Sequence, residues 1–280
     1  MNLVVGASGQ VGRQLVAVLG AGRYIAAKRS DLDLAEAADR PEIAASALSG
    51  VTAVYCCGGM TDVEECESAE ADAFRVNSLG PAVLAHAAAR RGLPFVYFST
   101  EYVFDGKSGP YDETGRPAPL SVYGRSKREG EIAILSVHSR AVILRTTVVY
   151  GPDPGGRNFL YGLRRALLAG KPMHVASDQI STPTYNLDLA RVAVDLVEAG
   201  ASGIFHVCGP ERVSRLQFAL KAAALMGLDG SPIRGVATAE LKQRAPRPLN
   251  AGLATSRLPG LRMRGIEESV SDWIASGALQ

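Results

Sequence analysis

Tyr123 and Lys127 are the residues of this chain whose types and spacing most clearly indicate chemistry. They stand four positions apart in the segment Tyr123-Gly-Arg-Ser-Lys127. On a helix, residues at this spacing lie one turn apart on one face. The ammonium can then lower the pKa of the phenol and keep it near a reacting oxygen. The same spacing is also common on ordinary exposed helix faces, so its meaning depends on what precedes it.

A glycine-rich turn stands near the beginning of the chain. The strand-like run Asn2–Val5 leads directly into Gly6-Ala-Ser-Gly9-Gln-Val-Gly12, which opens a helical pattern. Glycines there permit a tight turn and close approach of the backbone to a pyrophosphate, which the helix N-terminus attracts. The spacing is G-x-x-G-x-x-G, and a purely structural turn is the alternative. We predict that a dinucleotide contacts Gly6, Ser8, Gly9, Gln10, Val11 and Gly12.

A hydroxyl ends an apolar strand between the glycine turn and the tyrosine. The run Phe95-Val-Tyr-Phe-Ser99-Thr100 finishes in two hydroxyl side chains. A hydroxyl at a strand's carboxyl end can donate to a substrate carbonyl as the oxygen gains negative charge. Alone, Thr100 would more simply cap the following turn. With the other two features, it predicts a nicotinamide-dependent oxidoreductase whose catalytic residues are Thr100, Tyr123 and Lys127.

Basic residues follow the second predicted strand, Tyr24–Ala27. NAD enzymes often present an acid at this point for the ribose 2′-hydroxyl, but this chain has Lys28-Arg29-Ser30. Cations there suit a 2′-phosphate, so we predict that NADPH is preferred over NADH and that Arg29 contacts it. Solvated surface charges are the alternative. Further cofactor contacts are predicted beside the adenine and after the third strand, where small side chains leave room: Asp33, Leu34, Cys57, Gly58 and Gly59.

Strand-like and helical runs alternate along the first half of the chain. Short β-rich runs separated by helical patterns are typical of a parallel sheet buried on both faces. The glycine and proline content rises beyond about residue 152. We therefore expect residues 1–151 to form mainly the nucleotide-binding domain. Residues 152–280 are expected to form mainly a substrate-binding lobe, with a late strand at about 203–207 returning to the sheet.

The bulk composition narrows the classes of partner. A net charge of +2 gives no case for nucleic acid or a membrane surface, and no apolar run approaches the roughly 20 residues that span a bilayer. The four cysteines and four histidines show no metal-ligand spacing. Free thiols favour a reducing compartment, so we expect a cytoplasmic protein without a metal. Residues 2–5 lead straight into the glycine turn, so we expect no signal peptide.

Four longer motifs stand along the chain: Ser99-Thr-Glu-Tyr-Val-Phe-Asp-Gly106, Tyr123-Gly-Arg-Ser-Lys-Arg-Glu-Gly-Glu131, Arg145-Thr-Thr-Val-Val-Tyr-Gly151 and Ser177-Asp-Gln-Ile-Ser-Thr-Pro-Thr184. Together they resemble the extended short-chain dehydrogenase/reductase superfamily, and within it most closely the dTDP-4-dehydrorhamnose reductase family. The resemblance implies a Rossmann-type α/β fold, a doubly wound parallel sheet with a small C-terminal substrate lobe. It also implies a bound NADPH or NADH and reduction of the C4 ketone of a nucleotide-linked 4-keto-6-deoxy sugar.

The resemblance also implies roles for residues outside the catalytic set. Asn77 would be structural or part of a proton relay, and a homodimer is possible. Tyr123 and Lys127 would also contact the cofactor, and Lys127 would hold the nicotinamide ribose. The substrate-side candidates are Thr100, Glu101, Asn158, Gln179 and Arg247, of which Arg247 could pair with a phosphate.

Three departures from the family pattern bear on the substrate. Glu101 replaces the usual Asp, Val148 replaces the usual Trp, and Cys56, Gly58 and Met60 alter the loop after the third strand. A sister branch, the regulatory β subunit of methionine adenosyltransferase, resembles the chain in the same places, so a non-catalytic NADP-binding partner protein is one alternative. A nucleotide-sugar epimerase of the same superfamily is another. The complete set of Thr100, Tyr123 and Lys127 favours the reductase.

Overall fold

Six parallel strands form the central sheet. The structure, a computed structural model, describes residues 1–258 and 260–277. In those residues the strands are β1 (Asn2–Val5), β2 (Tyr24–Ala27), β3 (Ala53–Cys56), β4 (Phe95–Thr100), β5 (Val142–Thr146), β6 (Val149–Tyr150), β7 (Met173–Ala176), β8 (Ile180–Ser181), β9 (Thr184–Tyr185), β10 (Gly203–His206), β11 (Val213–Ser214) and β12 (Ile233–Val236). The central sheet has the order β2-β1-β3-β4-β5-β10, and the other strands form three two-stranded pairs.

Some of the helices cover both faces of this sheet. The helices of the described residues are α1 (Gln10–Leu19), α2 (Leu34–Asp39), α3 (Pro41–Ser46), α4 (Val63–Ser68), α5 (Glu70–Phe74), α6 (Gly80–Ala89), α7 (Val122–Val137), α8 (Phe159–Leu168), α9 (Asn186–Glu198), α10 (Arg215–Leu225) and α11 (Ile266–Ala275). Helices α1 and α9 pack on one face, and α2, α3, α6 and α7 pack on the other. The predicted Rossmann-type doubly wound fold is confirmed.

Each central strand is apolar on both sides because both faces are covered. In β1, Leu3 and Val5 belong to the core under α2 and α6, whereas Val4 belongs to the core under α1 and α9. Successive strand residues point to opposite faces, so a strand with two buried faces needs apolar residues at every position. This explains why the strands appear in the sequence as uninterrupted apolar runs.

The strand order reverses between β1 and β3, which creates a crevice at their carboxyl ends. Strand β2 follows β1 in sequence but lies on its far side, so β3 is the other neighbour of β1. Open α/β sheets bind ligands at such reversal points. Gly6 has a φ of +76°, and a Cβ there would lie 2.6 Å from the Gly58 nitrogen. Glycine therefore lets the two loops meet at the crevice.

The segment Ala69–Arg90 has one continuous helical pattern in the sequence, but the structure divides it. Helix α5 ends at Phe74, a π-helical turn spans Arg75–Leu79, and α6 begins at Gly80. Pro81 has no N–H to donate to the carbonyl of Asn77, four residues earlier. The Tyr97 hydroxyl donates to that carbonyl instead. The proline thus accounts for the break, and the freed carbonyl ties the turn to β4.

A third hydrophobic cluster lies in the second half of the chain. Helices α8, α10 and α11 surround the buried rings of Tyr150, Phe218 and Trp273. Helix α9 and strand β10, in contrast, belong to the central sheet layers. The sequence analysis did not anticipate the short helices α2 and α4. In the part of the chain that the structure describes, no helix has the length and apolar character needed to cross a membrane.

Candidate active site

Helix α7 carries both Tyr123 and Lys127 in its first two turns. Ser121 caps the helix, because its hydroxyl accepts a hydrogen bond from the Gly124 N–H at 3.2 Å. The Glu67 carboxylate accepts the N–H of Val122 at 2.7 Å. Such caps satisfy N–H groups that have no partner within the helix. The N-terminus of the helix that carries Tyr123 is therefore fixed from two directions.

Tyr123 lies beside the end of β4, as predicted from the sequence. Burial raises the pKa of its phenol, and the neighbouring Thr100 side chain acts in the opposite direction. The ring of Tyr102 packs edge-on against it with 5.5 Å between the ring centroids. A tyrosine with a raised pKa is protonated at neutral pH, which is the state that a proton donor requires.

The position of Lys127 differs from what its expected role, lowering the pKa of Tyr123, would require. Its ammonium lies over the ring of Tyr97, 3.9 Å from the ring centroid, and burial dominates the pKa of Tyr123. Burial also lowers the pKa of Lys127 from its ordinary 10.5 to about 8. The spacing on the helix was predicted correctly, but the long side chain extends across α7 towards β4.

Ser99 and Thr100 end β4, and only one of the two hydroxyls is left near Tyr123. Ser99 donates to the Glu131 carboxylate at 2.6 Å and is buried. Thr100 caps the following turn by accepting the Tyr102 N–H at 3.2 Å, and its side chain lies beside Tyr123. Thr100 therefore both caps the turn that follows β4 and lies beside Tyr123.

Asn77 anchors the loop that follows β3. Its amide accepts from the Met60 N–H and donates to the Met60 carbonyl, both at 2.9 Å, and it donates to the Ser126 hydroxyl at 3.0 Å. A Cβ on Gly59 would lie 3.0 Å from the Asn77 amide oxygen and 4.0 Å from the Lys127 nitrogen. The side chain of Asn77 is thus occupied in holding the loop close to Lys127.

The glycines of the first turn leave space for a dinucleotide between that turn and Lys127. A Cβ on Gly12 would lie 2.3 Å from the Gly6 carbonyl oxygen, so the turn closes only without side chains. On Gly9, in contrast, a Cβ would meet only the Gly6 oxygen, at 3.3 Å. Its outer side is open for a pyrophosphate at the start of α1. Burial raises the pKa of the Cys56 thiol to about 12, so this neighbouring cysteine is inert.

Burying the Lys127 ammonium opposes folding, and we expect Lys127→Met to stabilise the protein at pH 7. The native pKa of about 8 lies below the ordinary 10.5, so the unfolded chain binds more protons between these values. Wild-type stability therefore rises with pH across that window. The variant should gain up to about 3 kcal/mol at pH 7. Urea unfolding at pH 7 and pH 10.5 checks this, because the gain should nearly vanish at the higher pH.

The predicted adenine contacts Asp33 and Leu34 lie at the start of α2. Asp33 caps this helix by accepting the Ala35 N–H at 2.8 Å, and it also accepts from Arg29 at 2.9 Å. A methyl group of Leu34 would lie 3.0 Å from a Cβ on Gly58. Leu34 and Gly58 are therefore brought together at the crevice, whereas the largely exposed Arg29 is already paired with Asp33.

A cavity of about 680 Å³ lies beside the glycine turn, with two cations among its lining residues. Lys28 follows β2 directly, and Arg13 is in the first turn of α1. Ser8, which was predicted to contact the dinucleotide, lines the same cavity. The cation that faces this space after β2 is thus Lys28, the neighbour of Arg29.

Among the substrate-side candidates, Gln179 and Arg247 share a partner. Gln179 donates to the Gln243 side-chain oxygen at 3.2 Å, and Arg247 reaches the same oxygen at 3.4 Å. Arg247 also donates to the Glu64 carboxylate at 2.7 Å and lies 5.9 Å from the ring centroid of Tyr102. The Tyr102 ring also packs against Tyr123, so this one ring lies between Arg247 and Tyr123.

Glu101 and Asn158 occupy different places. The buried Glu101 carboxylate accepts the N–H of Gly252 at 2.8 Å, and burial raises its pKa. Asn158 donates to the Gly151 carbonyl at 2.9 Å and reaches the Gln10 side chain at 3.4 Å. Asn158 therefore lies against the glycine turn, apart from Gln179 and Arg247.

Arg215 is a cation at the site that the sequence analysis missed. It begins α10, and its guanidinium lies 5.0 Å from the ring centroid of Phe159. Burial lowers its pKa, the groups of Tyr102 and Glu101 raise it, and Arg247 lowers it further. Among the described residues its side chain forms no ion pair with a carboxylate. No motif marks it, because only the fold brings α10 beside Tyr102.

Comparison with known proteins identifies the family. The model for the RmlD substrate binding domain matches residues 1–276. The chain belongs to this family. It is 35% identical over 261 residues to the dTDP-4-dehydrorhamnose reductase of Mycobacterium tuberculosis, covering 90% of this chain and 84% of that protein. A probable low-salt glycan biosynthesis reductase of Haloferax volcanii is 37% identical over 215 residues, covering 75% and 71%.

Solved structures give the same result. The chain is similar to the dTDP-4-dehydrorhamnose reductase of Clostridium acetobutylicum, with a TM-score of 0.91, 30% identity and 98% of both chains covered. The corresponding protein of Bacillus anthracis, crystallised in complex with NADP, has a TM-score of 0.90 at 28% identity, again with 98% of both chains covered. The resemblance predicted from the four motifs is confirmed.

Proposed function

We propose that this chain is an NADPH-dependent reductase of the C4 ketone in a nucleotide-linked 4-keto-6-deoxy sugar. The observation that carries the proposal is the placement of three side chains at the carboxyl end of β4: Thr100 ends the strand beside Tyr123, and Lys127 lies one helical turn further along α7. Relatives at 35% identity that cover most of the chain are reductases of such a sugar by name. Bound NADPH would supply the hydride.

The residues of the chain would supply the proton and hold the reacting oxygen. Tyr123 is protonated at neutral pH and would pass its phenolic proton to the oxygen as the alkoxide develops. The Thr100 hydroxyl would donate to the same oxygen and stabilise its charge. Lys127 would bind the nicotinamide ribose through its ammonium and remain close to Tyr123. Gly9 and the N-terminus of α1 would hold the pyrophosphate.

The direct test is oxidation of NADPH, followed by nicotinamide absorbance, with a dTDP-4-keto-6-deoxy sugar as the substrate. Turnover that depends on both components, with the C4 alcohol as product, supports the reductase. Tight NADPH binding without oxidation would contradict it and favour the partner-protein alternative. Exchange at a sugar carbon with no net oxidation of NADPH would favour the epimerase.

Cofactor preference provides a separate prediction. Since Arg29 is paired with Asp33 and Lys28 lines the cavity with Arg13, Lys28→Ala should weaken NADPH binding roughly tenfold and NADH binding little. A hydrogen bond to a charged group contributes about 1.5–3 kcal/mol, which supports this magnitude. Fluorescence titration of both cofactors measures it. Arg29→Ala is the matched variant. A larger loss of NADPH affinity in Arg29→Ala than in Lys28→Ala would mean that Arg29 contacts the 2′-phosphate.

The proposal includes the setting in which the enzyme works. The four cysteines are free in the structure, which fits a reducing cytoplasm. The substrate partner is the nucleotide sugar, held by the second half of the chain, and neither nucleic acid nor a metal takes part. A homodimer is part of the same proposal, and sedimentation of the purified protein tests it.

A further inference from the structure

A buried ionic cluster lies directly beneath the catalytic residues. Glu131 of α7 accepts two hydrogen bonds from Arg145 of β5, at 2.8 and 2.7 Å. It also accepts from Ser99 of β4 at 2.6 Å and from Arg128 at 2.8 Å. Glu131, Arg145 and Ser99 are all nearly inaccessible to solvent. We call these four side chains the Glu131 cluster.

The cluster joins the elements whose relative position sets the site. Ser99 immediately precedes Thr100, and it is paired in register with Arg145 across β4 and β5. Glu131 stands four residues after Lys127 and eight after Tyr123, on the same face of α7. The bonds of Glu131 therefore connect the helix that carries the phenol and the ammonium with the strand that carries the hydroxyl.

Burial makes this cluster a costly way to stabilise a fold. Two charges removed from water lose hydration that their attraction offsets only with good geometry, and apolar side chains often pack at least as well. Here every oxygen of the carboxylate is used, and the bidentate arrangement fixes direction as well as distance. The Glu131 cluster thus adds little net stability but fixes directions strongly. Such a constraint is useful between α7 and β4, where small displacements would move the catalytic residues.

We propose that Glu131 is a positioning residue, which sets the rotation and height of α7 against β4 so that Tyr123 and Lys127 meet Thr100. This inference rests on the proposed function. Displacement of a reacting group by about 1 Å can reduce the rate about 100-fold. In support, the charge of Glu131 raises the pKa of Lys127, against the larger effect of burial.

The test compares Glu131→Gln with Asp188→Asn, a matched change in a second buried ion pair. Asp188 accepts from Arg264 at 2.9 and 2.6 Å in the second half of the chain, away from α7. Both variants should lose stability. At a temperature where circular dichroism shows both folded, Glu131→Gln should lose roughly 10- to 100-fold in kcat with little change in KM for the sugar. Asp188→Asn should retain kcat within about twofold of wild type, because its ion pair does not hold α7 and so does not displace the reacting groups.

Two further readouts keep the inference separate from the proposed function. Mispositioned Lys127 should weaken NADPH binding several-fold in Glu131→Gln, measured by fluorescence and independent of the sugar. If Glu131→Gln does not fold, Ser99→Ala removes only the bond to β4 and should still lower kcat and NADPH affinity. Wild-type protein that binds NADPH but reduces no sugar would overturn the proposed function alone. Equal kcat and NADPH affinity in Glu131→Gln and Asp188→Asn would overturn the positioning role.

Discussion

Replacing Tyr123 by phenylalanine is expected to remove most turnover and to leave NADPH binding unchanged. Tyr123 lies beside Thr100, and its raised pKa keeps the proton on the phenol at neutral pH. Without the hydroxyl, water must protonate the alkoxide in a partly closed site. General acid catalysis contributes typically about 10²- to 10⁴-fold, so kcat should fall within that range. Steady-state oxidation of NADPH with the keto sugar measures the loss, and a fluorescence titration measures cofactor affinity.

A matched variant separates the lost proton from a general packing effect. Tyr55 is buried in the core under α1 and α9, on the face of the sheet opposite α7. Tyr55→Phe removes a buried hydroxyl of the same kind and should retain nearly full turnover. Wild-type turnover in Tyr123→Phe would exclude the phenol as the acid and leave the proton to another group. A parallel loss in both variants would mean that the assay reports stability.

The local features of the site could be predicted because short-range rules determine them. A glycine turn between a strand and a helix, a strand ending in Thr100 and two residues one helical turn apart are each visible within a few positions. Arg29 and Asp33 also stand four residues apart, but this spacing alone does not distinguish an ion pair from a cation that is available to a 2′-phosphate. The structure shows the ion pair at 2.9 Å.

The rest of the site depends on contacts between distant segments. Lys127 was expected to act on Tyr123, but its side chain has several rotatable bonds and settles over Tyr97, which only the packing of α7 on β4 makes available. The break before α6 follows from Pro81, yet its consequence, a hydroxyl from β4 on the freed carbonyl, is tertiary. Arg215 likewise lies near Tyr102 only because α10 folds back over the site.

Arg215 provides the second large expected effect, on binding of the nucleotide sugar. Its side chain is partly buried, its guanidinium lies on the Phe159 ring, and it shares the neighbourhood of Tyr102 with Arg247. Arg247 is paired with Glu64 and keeps one buried Nη1 without a partner, whereas Arg215 has no carboxylate partner among the described residues, so a diphosphate would accept from Arg215 bidentately. Arg215→Met keeps the apolar stem and removes the charge. Loss of about 1.5–3 kcal/mol predicts a 10- to 150-fold rise in KM for the sugar.

The same variant should leave the cofactor side of the enzyme unchanged, because Arg215 lies on α10 and the glycine turn lies at α1. NADPH affinity is therefore the internal control, and Arg234→Met, at an exposed arginine of β12, is the matched variant. Raising the salt concentration should weaken sugar binding in wild type more than in Arg215→Met, since the variant has lost a charge that salt screens. An unchanged KM together with an unchanged salt dependence would mean that the diphosphate is bound elsewhere.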